Sequence, residues 1–164
     1  MADKKVLFVV NMQEFYVGKN RDKSCTYPVD RLMEAVNARI KEFEAENVYY
    51  IVTVKKGLFG APAPKEGSNE AGFVPKLKVV SRNIYQKNKP DAFTSSALED
   101  ACRARMVKEI EMVGVDAVDI YSTAVGAIDC GMRVIFNDNC IFAADMAKSQ
   151  KAAEGIDQSK VSYL

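Results

Sequence analysis

Short apolar runs alternate with amphipathic stretches along this chain. Residues 5–10, Lys-Val-Leu-Phe-Val-Val, are an unbroken β-favouring run. Such a run marks a central parallel strand covered on both faces. Asn11-Met12-Gln13 ends it, and residues 17–27 are polar and irregular. Pro28 then opens a helix with Val29, Leu32, Met33, Val36, Ile40 and Phe43 on one face at spacings of three and four, and Asn47 is its expected stop. Residues 48–54 read as the second strand.

Residues 55–76 carry Gly57, Gly60, Pro62, Pro64, Gly67, Gly72 and Pro75, which predicts a long surface loop. A loop of this length in a compact domain is usually functional or a lid. A weaker third strand is expected over 79–86, a helix over 96–106 and a strand over 110–115. A short helix over 123–130, stopped by Gly131, leads to a strand over 132–136. The remainder, 143–164, reads as a helix and a polar tail. Strands alternating with helices predict a three-layer α/β/α domain on a mostly parallel sheet with right-handed crossovers. No repeat, low-complexity tract or linker divides residues 1–164, so one domain is expected. In such sheets ligands gather beyond the carboxyl ends of the strands. That directs attention to Asn11, to Lys87 and to residues 116–122.

Composition narrows the chemistry. Lys plus Arg number 23 against 22 Asp plus Glu, a net charge of +1, so no basic field exists to hold nucleic acid. The apolar run near the start is too short for a signal-peptide core or a membrane span, and a cytoplasmic protein with no membrane partner is expected. Cys25, Cys102, Cys130 and Cys140 are scattered with no C-x-x-C pair, which suits reduced thiols better than a disulfide framework. Histidine is absent. That excludes imidazole catalysis and any metal site needing histidine, and leaves only weaker carboxylate or thiolate options. No cofactor is expected.

The strand ends also carry a resemblance. Val9-Val10-Asn11-Met12-Gln13, with Tyr16 following, is similar to the opening of the isochorismatase-like cysteine hydrolases, V-V-D-M-Q with a later Phe. The stretch from Glu66 to Leu77 is similar to their G-T-x-G-x-x-x-x-P-x-L segment. Lys87-Asn88-Lys89-Pro90-Asp91-Ala92-Phe93 resembles K-x-x-x-S-A-F, with Ser96 and Leu98 after it. Residues 108–115 match the strand before the nucleophile, and Thr123-Ala124 and residues 131–134 match the helix and strand after it. Four motifs in order and in spacing cover nearly the whole chain.

The resemblance implies a six-stranded parallel sheet, a homo-oligomer and a triad of Asp, Lys and Cys that hydrolyses small amides, nicotinamide among them, or the vinyl ether of isochorismate. At the triad positions this chain has Asn11, Lys87 and, counting back from Thr123-Ala124, Asp119. An amide accepts no proton at neutral pH, so the family's general base is replaced. The nucleophile segment is one residue shorter than usual and has no cysteine. The metal-binding Asp-His-His set of nicotinamidases is excluded for want of histidine.

Each residue has a bland reading beside the sharp one. Asn11 is a substrate-binding amide or a strand-end hydrogen-bonding group, and Lys87 is a pocket lysine or a surface one. Asp119 is an acid–base carboxylate or a polar residue of a remodelled turn. Cys102, Cys130 and Cys140 read as packed thiols, and Cys25 as a thiol in a polar loop. The expectation is a degenerate triad without cysteine-hydrolase activity, kept for small-molecule binding or assembly. The rival is a hydrolase of a small amide or vinyl ether that uses Asp119 or Asp116 with Lys87. Either way, Asp119 or Asp116 is expected to replace the lost carboxylate as the partner of Lys87.

Overall fold

Strand β1, Lys4–Val10, is buried on both faces because its alternation serves two cores at once. Val6, Phe8 and Val10 join one apolar cluster, and Leu7 and Val9 join the other. The computed structural model describes residues 4–164. β1 is followed by a single turn of helix, α1 (Glu14–Val17), then by α2 (Val29–Lys41) and β2 (Val48–Thr53). After the long loop come β3 (Ile84–Lys87), α3 (Ser96–Ala104), β4 (Val107–Gly114), α4 (Ala117–Asp129), β5 (Arg133–Ile141), α5 (Met146–Ala153) and β6 (Val161–Tyr163).

All six strands form one parallel sheet in the order β3-β2-β1-β4-β5-β6. Leu32, Met33, Val36 and Ile40 of α2 pack on one face with Leu7, Val9, Tyr50 and Val113. On the other face, Leu98 and Cys102 of α3 and Ala117, Ile120, Ala124 and Ala127 of α4 pack with Phe8, Tyr49 and Met112. The result is the expected α/β/α layering. Strand order reverses between β1 and β4, so the crevice of such a sheet opens beyond Val10 and Gly114.

Several boundaries differ from the sequence expectation. The second helix ends at Lys41, not at Asn47. Glu42 N bonds to Arg39 O and Phe43 N to Ile40 O, tightening the last turn, and Phe43 then packs back on the core. The third strand shrinks from 79–86 to Ile84–Lys87, because side chains take the backbone before it. Val80 N donates to the Tyr50 hydroxyl, which itself donates to Lys78 O, and Ser81 Oγ donates to Val48 O. The helix expected from 123 begins six residues earlier, at Ala117, because Asp116 caps it through Val118 N. The expected polar tail is more ordered than the sequence suggests: Gln158–Lys160 form a 3-10 turn and Val161–Tyr163 pairs with β5 as a sixth strand. The thiols are sorted differently too. Cys25 is buried beneath its loop, whereas Cys130, at the end of α4, is exposed. No helix among the described residues is long and apolar enough to cross a membrane.

Candidate functional site

The reversal point places Asn11 directly after β1, Lys87 at the end of β3 and Asp119 in the first turn of α4. Gly114 makes the close approach possible. Its φ is +118°, and a Cβ there would lie 2.2 Å from the Val10 carbonyl oxygen. Asn11 has φ of +55°, a left-handed conformation that asparagine tolerates better than most residues. Its backbone N–H still reaches Ile51 O, at 2.9 Å, so the chain turns out of the sheet without losing its ladder. The Val115–Asp116 peptide leading into α4 is cis.

Asp119 Oδ2 receives the Lys87 ammonium and the Asn11 amide N–H, each at 2.7 Å. Lys87 also donates to Lys89 O at 3.1 Å. Thr53 Oγ donates to the Asn11 carbonyl oxygen at 2.8 Å. That bond fixes the amide's orientation and aims its N–H groups at Asp119. Gln13 locks Thr53 in turn, accepting from Thr53 N and donating to the Thr53 and Ala71 carbonyls. Asn11 and Gln13 are fully buried, and the Lys87 side chain is 1% exposed. The Asp119 side chain keeps 18% of its surface in solvent. Its place in the first turn of a helix suits a carboxylate, because the N-terminal end of the helix dipole is positive.

The three positions read from the sequence therefore meet, and the carboxylate partner of Lys87 is Asp119. Asp116, the other candidate, is turned away. It caps α4 and accepts from Tyr27 Oη at 2.9 Å and Ala144 N at 2.8 Å. Charge explains the pairing of residue types. A carboxylate at position 11 would face Asp119 at hydrogen-bonding distance, whereas an amide there donates to it. One ammonium, one carboxylate and one amide close the set with no net charge.

Two tyrosines flank it. Burial, then the nearby Asp119 charge, pushes the Tyr16 hydroxyl above its ordinary range, while a hydrogen bond with Thr53 works the other way. Burial and Asp116 do the same to Tyr27. Neither Thr53 nor Tyr27 was singled out from the sequence. Thr53, a polar residue closing an apolar strand, carried a usable signal. Tyr27, in a polar loop, carried none.

The residues present do not fit the metal of the nicotinamidase pattern. There is no histidine, and no three His, Cys, Asp or Glu side chains among the described residues gather where they could hold an ion. The chemistry the site can offer is hydrogen bonding and one acid–base pair.

The family model described as Isochorismatase domain matches residues 5–162. Among solved structures, the chain is similar to the pyrazinamidase of Pyrococcus horikoshii in complex with zinc, at 19% identity over 98% of both chains with a TM-score of 0.80. An Acinetobacter nicotinamidase/pyrazinamidase is 20% identical over 100% of this chain and 97% of its own, with a TM-score of 0.79. The Bacillus subtilis nicotinamidase is 18% identical over 97% and 99%, with a TM-score of 0.76. At these identities the likeness establishes the fold. No curated protein matches the sequence at a significant level.

Proposed function

The chain belongs to the isochorismatase family, and from that premise we propose that it is a member with a degenerate triad, without cysteine-hydrolase activity, acting in small-molecule binding or assembly. The observation that carries this reading is the closed set at Asp119. A carboxylate stands where the family pattern has its thiol, and it is already held by Lys87 and Asn11. No thiol takes its place. Cys25, Cys102 and Cys140 are buried, and Cys130 lies at the far end of α4. Burial pushes Cys25, Cys102 and Cys140 above the ordinary thiol range, and partial desolvation with the neighbouring Glu99 raises the more exposed Cys130, which lowers the thiolate fraction of all four. A cytoplasmic protein is part of the same reading.

A second reading rests on the 18% exposure of the Asp119 side chain. A small amide or vinyl ether reaching that face would meet a carboxylate and an ammonium as base and acid. One assay separates the two. The purified protein is incubated with nicotinamide, pyrazinamide and isochorismate, following ammonia or pyruvate release beside thermal-shift binding. Binding without turnover is the expected result. Turnover that survives replacement of all four cysteines but not Asp119→Asn would overturn the first reading in favour of the second.

A further inference from the structure

Asp119, Thr123 and Gly126 follow one another at spacings of four and three on α4, so one stripe of the helix carries all three. That stripe faces the turn after Lys87. Asp119 takes the ammonium at 2.7 Å. One helical turn on, Thr123 Oγ accepts from Ala92 N at 3.0 Å and donates to Pro90 O at 3.2 Å. A further turn on, Gly126 leaves room for the Asp91 carboxylate, which a Cβ at that position would strike.

Thr123 is fully buried, and its one hydroxyl satisfies a backbone donor and a backbone acceptor on either side of residue 91. A hydroxyl can do both at once, whereas valine, its isostere, would leave both groups unpaired. The turn held in this way forms one side of the lysine site. The Lys87 ammonium donates back into it, to Lys89 O at 3.1 Å. Asp91 closes it, its carboxylate accepting from Phe93 N at 2.8 Å and its carbonyl from Thr94 Oγ at 2.7 Å. A lysine stem has many rotamers, so its acceptors decide where the nitrogen rests. One acceptor, Lys89 O, belongs to the turn, and the other, Asp119 Oδ2, belongs to α4. The Thr123 bonds tie those two supports to each other.

We propose that Thr123 is a positioning residue for the Lys87–Asp119 pair, holding the 88–92 turn on α4 so that the ammonium meets Asp119 and Lys89 O together. Its hydrogen bonds go to the turn and not to either charged group, so it acts through the turn. Gly126 shares the task by leaving the space that Asp91 fills. The inference rests on the function proposed above only in taking this pair as the working part of the site. It holds whether the pair binds a ligand or turns one over.

Side-chain NMR of the lysine ammonium groups reads the pair directly. Exposed ammonium protons exchange with water too fast to be seen. The Lys87 ammonium, 1% exposed and hydrogen-bonded twice, should give a slowly exchanging nitrogen–proton signal, assigned by its loss in Lys87→Met. In Thr123→Val that signal should exchange about tenfold faster or vanish, the factor expected for loss of a buried hydrogen bond, while the backbone spectrum stays that of the folded protein. Thr123→Ser, which keeps the hydroxyl, should retain the slow signal. Gly126→Ala leaves the hydroxyl in place but displaces the turn through Asp91, and it should speed the exchange too; it carries the test if Thr123→Val does not fold. A wild-type ammonium without protection, a signal unchanged in the folded valine or alanine variant, or one lost equally in Thr123→Ser would each overturn the proposal. Failure to bind any small molecule, in a protein whose Lys87 ammonium is protected, would count only against the functional reading.

Discussion

At Asp119 one carboxylate oxygen answers two donors, and the consequence can be measured. Asp119→Asn leaves the Lys87 ammonium, 1% exposed, without a counter-charge. Breaking a buried pair from one side costs about 3–5 kcal/mol; with Asp119 partly in solvent, the low end is expected. Lys87→Met added to it removes the stranded charge and should recover part of the loss. Urea unfolding of the two single variants and the double closes the cycle, and zero coupling would refute the pairing. Lys87 and Asn11 could be located because strand ends on a parallel sheet are where such residues meet. Asp119 followed from counting along a motif. Thr53, which aims the Asn11 amide, could not be found that way. Its contact depends on how β1 and β2 align, which neither segment encodes alone.

Helix α4 makes the corresponding case one level up. Ala117, Ile120, Ala124 and Ala127 are buried at helical spacing, so an earlier start was available in the pattern. Asp116 is the residue that decides the start, and it ties three elements together. Its carboxylate accepts from Val118 N, from the Tyr27 hydroxyl and from Ala144 N. Asp116→Ala should therefore cost more than the ~1 kcal/mol of an ordinary cap, nearer to 2 kcal/mol. The lost stability should show in urea unfolding and in faster amide exchange at Val118 and Ala144. An effect below that of an ordinary cap would mean the two longer-range bonds contribute nothing.

Across the whole molecule the sheet separates two apolar cores, and both hold thiols that resist ionisation. Burial raises Cys102 from 9.0 to about 12 and Cys140 to about 11. Cys102 belongs to one core and Cys140 to the other. A thiol whose folded pKa exceeds its unfolded one binds its proton more tightly in the native state. Its contribution is present in full below about 9 and is lost as pH rises through the folded value. The unfolding free energy from urea titration should therefore fall between pH 9.0 and about 11, by about 1.4 kcal/mol per pH unit for each thiol ionised only when unfolded. Cys102→Ala should lower stability at neutral pH yet flatten that alkaline slope. A slope unchanged by the variant would remove Cys102 from the account.

The sequence by itself determined the alternation of strands and helices, the parallel class of the sheet and the ends of β1 and β3 where Asn11 and Lys87 sit. Those features depend on periodicity, and periodicity is set by near neighbours along the chain. Tertiary structure alone decided that Val161–Tyr163 becomes a strand, since three residues pair only because β5 offers a free edge to them. It likewise decided which thiols are covered. Cys25, in a polar loop, joins the same apolar cluster as Tyr27 and Val17, while Cys130, the C-cap of α4, stays exposed. Burial at a loop or a helix end belongs to whatever packs above it, and that neighbour is distant in sequence. The meeting of Asn11, Lys87 and Asp119 is of the same kind. Three residues separated by 76 and 32 positions are brought to one carboxylate oxygen by the strand order of the sheet.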